Sequence, residues 1–310
     1  MTSSDLDQVV PKQASGIKAA GLSRSFPLSR SVSLRPRGWL IARRGILHLV
    51  LISLSLIMLF PFLWTVSASL KGDDAVLATP PQLLPVPVHW ENYAAVTQAI
   101  PFWQLLFNSL LVAVVTTVLQ VLTCSMAAYA FARLRFRGRG PLFLVYLATL
   151  MVPAQVTYTP LFIFMRLLGL TNTYAGLILP GITSAFGVFL LRQFFLTIPR
   201  ELEEAAFLDG ASHWTVYRRI ILPLSRPGLA ALTIFSFMAS WNSFLWPLLV
   251  VSDPQIMTLP LGLSTLHGQY STAWNQLMAG TVLSIIPIVI VYILAQRQFV
   301  EGLALSGLKA

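Results

Sequence analysis

The sequence predicts an all-α integral membrane protein with six transmembrane helices, and three observations support this. The chain has 310 residues, of which 56% are hydrophobic and only 10% are charged, whereas an ordinary soluble domain carries about 25% charged residues. Its mean hydropathy is +0.73. Six apolar runs approach or exceed the roughly 20 residues that a membrane-spanning helix needs. Because so few charged side chains cannot cover a globule of this size, the composition excludes a soluble enzyme and a disordered chain.

The six predicted spans follow one another along the chain. They cover residues 47–66, 102–131, 142–164, 174–194, 229–251 and 278–294, and Pro153 interrupts the third. These runs are continuous, whereas the strands of a membrane β-barrel alternate in hydrophobicity over about 10 residues. Every backbone amide in lipid must be paired, which helices achieve within their own segment. We expect Pro153 and Pro180 to kink their spans.

The positions of the basic residues predict how the spans are oriented. Of the 21 lysines and arginines, eight precede the first span, four follow the second, five lie around the segment between the fourth and fifth, and two lie in the C-terminal tail. Lys71 and Arg166 fall on the other side. Since lysine and arginine accumulate in cytoplasmic segments, both termini are predicted to be cytoplasmic. This orientation accounts for the net charge of +10 without a nucleic-acid partner.

The chain is therefore predicted to contain three regions. Residues 1–44 form a basic, flexible cytoplasmic tail that can contact anionic lipid headgroups. Residues 45–300 form the transmembrane domain, and residues 301–310 form a second cytoplasmic tail.

The spans lack the residues that several other functions require. Their apolar cores contain no acidic residue, lysine, arginine or histidine, and such residues commonly mark the ion pathways of secondary carriers. No lysine follows a glycine, so there is no Walker A loop for ATP, and no zinc-protease or serine-hydrolase motif is present. The sequence thus predicts no catalytic residue, no metal site and no cofactor bound by this chain.

The segment at residues 199–227 is predicted to form a cytoplasmic element of helix, turn and helix. An acidic first turn beginning at Glu201 complements the positive end of a helix dipole. Gly210 suits a left-handed turn, and Ser212 suits the cap of a second, amphipathic helix. Such an element can enter a hydrophobic groove on a partner, lie flat on the membrane surface, or read DNA; its four acidic residues disfavour the last role.

The fixed positions of this segment resemble the coupling-loop motif of bacterial ABC importer permeases. That motif has a glutamate–alanine–alanine triplet, a glycine four residues after it, and isoleucine-x-leucine-proline ten residues further on. The corresponding residues are Glu204, Ala205, Ala206, Asp209, Gly210, Ala211, Tyr217, Ile220, Leu222 and Pro223. Residues 108–109, 189–195, 241–245 and 296–297 are also similar to the smaller permease subunit of maltose-type carbohydrate importers, whereas residues 306–310 depart from its usual C-terminal sequence.

The resemblance implies a transport subunit of the bacterial cytoplasmic membrane that has no ATPase site of its own. It implies a second homologous permease, an ATPase dimer that binds ATP and Mg and docks on the coupling loop, and an extracytoplasmic sugar-binding protein. In this loop we expect Tyr217 and Ile220 to anchor the ATPase, and Glu204 or Asp209 to pair with one of its basic residues. The cargo is expected to be a sugar; a polyol or glycerol-phosphate cargo, or a secondary carrier, are the alternatives.

A sugar path would need hydroxyl or amide groups for hydrogen bonds and aromatic faces for stacking. The candidates are Asn108, Gln120, Gln155, Tyr158, Trp241, Asn242 and Ser243. Each of these side chains also has a simpler interpretation, because buried polar residues in spans often bond neighbouring helices.

Overall fold

The computed structural model describes residues 37–268 and 272–307, and this part of the chain is mostly helical. The helices are α1 Arg37–Ser69, α2 Asp73–Val76, α3 Glu91–Ala99, α4 Phe102–Arg133, α5 Arg139–Ala148, α6 Ala154–Leu167, α7 Tyr174–Ile178, α8 Ala185–Thr197, α9 Glu201–Leu208, α10 His213–Val216, α11 Leu222–Leu224, α12 Arg226–Trp241, α13 Leu245–Val250, α14 Leu259–Ser264 and α15 Trp274–Gly307. Short 3₁₀ turns occupy Thr149–Met151, Leu179–Gly181 and Pro254–Ile256, and a π-helical turn occupies Tyr217–Ile221. In the described chain the one β-bridge joins His267 and Thr272.

The chain divides after Ile57 into two compact units. The described part of the first unit is the N-terminal portion of α1, and the second unit contains the packed cores. Of the predicted N-terminal tail, residues 1–36 lie outside the described residues, whereas α1 already begins at Arg37. The predicted C-terminal tail at residues 301–310 is helical as far as Gly307, where α15 ends, and residues 308–310 lie outside the described residues.

Several helices in the described chain are long and apolar enough to cross a membrane. Three helices meet this criterion without a break, namely Arg44–Ser69, α4 and Trp274–Leu294. Three further candidates are bent pairs: Arg139–Met151 with Ala154–Leu167 at 100°, Tyr174–Gly181 with Ala185–Thr197 at 44°, and His213–Leu224 with Arg226–Trp241 at 79°. The interruption predicted at Pro153 is confirmed, because this residue separates the first bent pair.

The predicted fifth span at 229–251 is not one continuous helix, and this part of the prediction was wrong. Helix α12 ends at Trp241, and a separate helix α13 begins at Leu245. Pro247 lies in the first turn of α13, where its missing N–H group leaves no hydrogen bond unmade. A continuous helix would have placed this proline in its interior and lost a bond there.

The core around the C-terminal half of α4 depends on small residues that let helices approach closely. Helix α4 packs against α8 and α12, and Cys124 and Ala128 of α4 are fully buried there. A β-carbon on Gly187 of α8 would lie 2.9 Å from Leu232 and 3.0 Å from the sulfur of Cys124. Close packing of this kind is how helices associate inside a membrane, where lipid provides no hydrophobic contrast.

Candidate functional site

Helix α9 ends in a turn that its sequence specifies. The N–H of Gly210 donates to the carbonyl of Phe207 at 3.0 Å, and the N–H of Ala211 donates to that of Ala206 at 2.9 Å. These two bonds form a Schellman motif, which needs a left-handed residue at its centre. Gly210 supplies that residue with φ of +79°. The left-handed turn predicted at Gly210 is confirmed.

The second helix of the segment begins as predicted and ends differently. The hydroxyl of Ser212 caps α10 by accepting a bond from the N–H of Thr215 at 3.2 Å. The chain then widens into the π-helical turn Tyr217–Ile221, in which the N–H of Leu222 donates to the carbonyl of Tyr217. Pro223 does not end the helix, which continues to Leu224. Residues 201–224 therefore form one compact unit, which we call the loop element.

Tyr217 attaches the loop element to the rest of the chain. Its side chain is only 4% exposed, and its hydroxyl lies 2.8 Å from the hydroxyl of Ser125 on α4. Its ring centre lies 5.3 Å from that of Tyr129. Burial raises the pKa of the Tyr217 hydroxyl, since removing water disfavours the phenolate. Tyr217 thus packs inside this chain, whereas the sequence suggested that it would anchor a partner.

A buried ion pair forms a second attachment. Nε of Arg133, the last residue of α4, lies 2.9 Å from Oε1 of Glu203 on α9, and the two side chains are 4% and 9% exposed. The same guanidinium donates to the carbonyls of Phe195 and Ile198 at the end of α8. Burial raises the pKa of the Glu203 carboxyl, and Arg133 opposes that shift. Arg133 therefore joins the loop element to the ends of two helices.

The opposite face of the loop element is exposed and partly apolar. Leu208 is 90% exposed, Trp214 59%, Leu202 45% and Phe207 37%. Singly exposed apolar residues are ordinary, whereas several on one short element indicate an interaction surface.

The predicted motif residues divide between these two faces. Glu204, Ala205, Asp209, Gly210 and Pro223 are exposed, Ala206, Ala211, Ile220 and Leu222 are half-buried, and Tyr217 is buried. The half-buried residues pack against the core that contains Tyr217.

Two cavities contain five of the seven predicted path residues. The first has a volume of about 310 Å³ and is lined by Gln120, Tyr158 and Ser243 among others. The second has a volume of about 480 Å³ and is lined by Trp241 and Asn242.

The other two predicted path residues line neither cavity. Asn108 is 1% exposed and donates to the carbonyls of Gln255 and Met257 at 2.8 and 2.9 Å, while accepting from the hydroxyl of Tyr174 at 2.7 Å. It connects α4 to the segment before α14, which is the simpler role that the sequence left open. Gln155 is exposed on α6.

Sequence reasoning missed the pairing of Arg133 with Glu203. Arg133 counted only as an orientation signal, and Glu203 differed from its neighbouring glutamates only in position. No pattern in the sequence marks which glutamate of an acidic turn faces inward. Among the described residues, no three histidine, cysteine or acidic side chains are grouped so that they could hold a metal ion.

A family of transport proteins matches this sequence. The family of the binding-protein-dependent transport system inner membrane component matches residues 120–304. This range includes the loop element and the two bent helix pairs that precede it. The chain belongs to this family. It is therefore a multi-pass protein of the inner membrane and a component of ABC import systems, as the coupling-loop motif indicated.

Two curated relatives extend the match over most of the chain. The arabinooligosaccharides transport system permease protein AraQ of Halalkalibacterium halodurans is 39% identical over 259 residues, which are 83% of this chain and 93% of the relative. The sn-glycerol-3-phosphate transport system permease protein UgpE of Salmonella typhi is 39% identical over 273 residues, which are 84% of this chain and 97% of the relative.

Two solved structures are also similar. A chain of a bacterial ABC transporter involved in the import of the acidic polysaccharide alginate is 28% identical with a TM-score of 0.72, covering 83% of this chain and 97% of its own. A chain of the bacterial alginate ABC transporter in complex with alginate pentasaccharide-bound periplasmic protein is 14% identical with a TM-score of 0.60, and it shares the fold.

Proposed function

We propose that this chain is one of two permease subunits of an ABC importer that carries a sugar into the cell. The family membership and the arabinooligosaccharide relative support a transported sugar. The glycerol-phosphate relative keeps a phosphorylated polyol as the second candidate cargo. Up to six spans are available, and we take α12 as the membrane part of the third bent pair, with the loop element outside the membrane. Together with the distribution of basic residues, this even count supports cytoplasmic termini.

The loop element is proposed to receive the ATPase, and the observation that carries this is its division into two faces. One face is held to the helix ends by Tyr217 and by the pair of Arg133 with Glu203. The other presents Leu208 and Trp214, which suit a hydrophobic groove. Glu204 and Asp209 border this face and are available to basic residues of the ATPase. A lever requires this combination, because force applied to one face must reach the helices through the other.

The proposed cycle follows from this attachment. ATP and Mg bind in the partner ATPase dimer, and closing of that dimer displaces the loop element. Arg133 of α4 is paired with α9 and hydrogen-bonded to the end of α8, so the displacement shifts α4, which lines the first cavity. ATP thereby favours the conformation in which the ATPase dimer is closed. This chain contributes no ATPase site, and an extracytoplasmic binding protein delivers the cargo to it.

Reconstitution in proteoliposomes tests the proposal. The chain is copurified with its partner permease and ATPase, and ATP hydrolysis is measured with and without binding protein loaded with arabinotriose. We expect sugar-loaded binding protein to stimulate hydrolysis and ATP-dependent uptake. Hydrolysis that no loaded binding protein stimulates, together with uptake that does not depend on ATP, would refute an ABC importer.

A further inference from the structure

Two arginines from different helices meet where α5 packs against α8. Arg139 begins α5, and Arg192 lies near the end of α8. The guanidinium carbon of Arg192 lies 4.3 Å from the ring centre of Phe143, which follows Arg139 by one helical turn and so shares its face of α5. Arg139 is near enough to Arg192 for the two positive charges to repel each other. We call Arg139, Phe143 and Arg192 the arginine site.

The chain supplies no acid to this pair of arginines. No carboxylate of the described residues lies within salt-bridge distance of either guanidinium, and the sequence contains no aspartate or glutamate between Glu91 and Glu201. Arg133 at the end of α4 provides the contrast, because it is paired with Glu203 at 2.9 Å. Two half-buried like charges without a counter-charge are unfavourable. They therefore indicate an anion that comes from outside the chain.

The orientation signal alone does not require this arrangement. Basic residues orient a membrane protein by lying in its cytoplasmic segments, whereas Arg192 lies inside the candidate span segment Ala185–Thr197. Ionisable residues in spans are rare, and they usually have a partner and a function. The surroundings of Arg192 are aromatic, because the ring centre of Phe131 lies 5.3 Å from that of Phe143 and 6.4 Å from that of Tyr146. In such apolar surroundings the attraction to an anion is stronger than in water.

Both guanidiniums are fixed by one bond and keep other donors. Arg192 donates from Nε to the carbonyl of Phe131 at 3.3 Å, and Arg139 donates from Nη1 to the carbonyl of Leu134 at 2.9 Å. Within the described chain, no acceptor is bonded to their remaining nitrogens. A guanidinium presents its N–H groups in a planar fork that matches two oxygens of a phosphate. The two arginines can therefore hold one phosphate between them.

The surface beside the arginine site favours a lipid over a soluble anion. Leu142, Leu144 and Val145 follow Arg139 on α5 and are 53%, 67% and 66% exposed. Helix α5 begins a candidate span, so these side chains lie where the hydrocarbon of a bilayer begins. A phospholipid that places its phosphate at the arginines can cover them with an acyl chain and bury apolar surface, which a free phosphate cannot do. Basic pockets between spans on the cytoplasmic side are known to bind anionic headgroups.

We propose that the arginine site binds the phosphate of an anionic phospholipid from the cytoplasmic leaflet. The phosphodiester oxygens accept hydrogen bonds from Arg139 and Arg192, and an acyl chain lies along α5. The lipid neutralises the repulsion between the two arginines and thereby holds α5 against α8. This site goes beyond the proposed transport function and uses only its orientation, which places both arginines in the cytoplasmic leaflet.

Thermal unfolding of the complete complex in a neutral detergent tests the site. Phosphatidylglycerol or phosphatidylcholine is titrated into the delipidated complex, and the melting temperature gives the half-saturating lipid concentration, because a ligand that binds the folded state stabilises it. We expect phosphatidylglycerol to stabilise the complex more than phosphatidylcholine, because choline brings a positive charge to the headgroup. Inorganic phosphate at the same concentration should not change the melting temperature, since it has no acyl chain.

Substitutions at the arginine site separate it from other lipid contacts of the complex. Arg192→Gln should raise the half-saturating phosphatidylglycerol concentration at least about tenfold, the effect of losing hydrogen bonds from a charged group, and Arg139→Gln should act in the same direction. Arg192→Lys keeps the charge without the planar fork and should retain part of the affinity. Arg226→Gln is the matched control: Arg226 is exposed at the start of α12, and its loss should leave the parental titration unchanged.

Four results would overturn the proposal. Equal stabilisation by phosphatidylcholine would remove the role of the anionic headgroup, and equal stabilisation by inorganic phosphate would assign the site to a soluble anion. A parental titration for Arg192→Gln would place the lipid elsewhere, and an equal loss in Arg226→Gln would reduce the effect to general surface charge. The measurement requires neither ATP nor binding protein. Its failure therefore leaves the importer function standing, and failure of stimulated hydrolysis leaves the lipid site standing.

Discussion

Neutralising Glu203 should loosen the loop element while leaving its exposed face unchanged. At 2.9 Å between Nε of Arg133 and Oε1 of Glu203, the Coulomb attraction is about 6 kcal/mol at an effective dielectric constant of about 20. Desolvation of both groups offsets part of it, and removing one partner of a buried pair costs about 3–5 kcal/mol. Glutamine keeps an oxygen near Arg133, so we expect Glu203→Gln to lower the free energy of unfolding by about 3 kcal/mol.

Thermal unfolding of the purified complex measures this loss. About 3 kcal/mol corresponds to a melting temperature lower by about 6 °C in a large protein. Glu201→Gln is the matched control, because Glu201 lies on the same helix and is exposed. Exposed pairs contribute only about 0–1 kcal/mol, so this variant should unfold close to the parental temperature.

A double-mutant cycle with Arg133→Gln separates the pair from the other bonds of Arg133. We expect a coupling energy of about 3 kcal/mol between the two positions, because each single change leaves a buried group unpaired. In proteoliposomes, Glu203→Gln should also reduce ATP-dependent uptake more than ATP hydrolysis. Equal melting temperatures for Glu203→Gln and Glu201→Gln, or additive effects in the cycle, would refute the role assigned to this pair.

Three further changes test the loop element. Gly210→Val forces a β-branched residue into a left-handed conformation at a cost of about 1–2 kcal/mol or more, so this variant should insert into the membrane but show no uptake. Gly210→Asn should retain part of the uptake, and normal uptake by the valine variant would contradict the lever. Leu208→Glu should weaken ATPase binding in copurification at least about tenfold, because burying a leucine contributes about 1.5–3 kcal/mol; unchanged recovery of the ATPase would place the docking face elsewhere. Tyr217→Phe removes the bond to Ser125 and should lower the free energy of unfolding by about 1 kcal/mol, measured by denaturant or heat, with ATPase recovery unchanged; loss of the ATPase instead would mean that the hydroxyl contacts the partner.

Local sequence signals predicted the loop element well. The turn at Gly210 and the cap at Ser212 depend on residues a few positions apart, and such interactions are visible in the sequence. The interruption at Pro153 has the same origin, because a missing N–H group acts on its own segment. The break between α12 and α13 has a local cause too, but Pro247 lies inside an apolar run long enough for a span, and the run conceals the break.

The sequence was less informative about which side chains face one another. It placed Gln120, Tyr158 and Ser243 among polar residues of different spans, and the structure brings them to one cavity. It grouped Asn108 with them, although that residue is fully bonded elsewhere. Composition identifies polar residues within apolar helices, but it does not specify the rotation of each helix about its axis, which depends on packing between helices.

By itself, the sequence determined that the chain is a membrane protein, where most of its apolar helices lie, and which short motif relates it to importer permeases. These follow from composition, from segment length and from neighbouring residues. Only the tertiary structure decided that Tyr217 and Glu203 face inward, and that Arg192 of α8 lies against α5 beside Arg139. The reason is physical: burial and pairing are set by residues distant in sequence, as when Arg133 meets Glu203 across 70 positions.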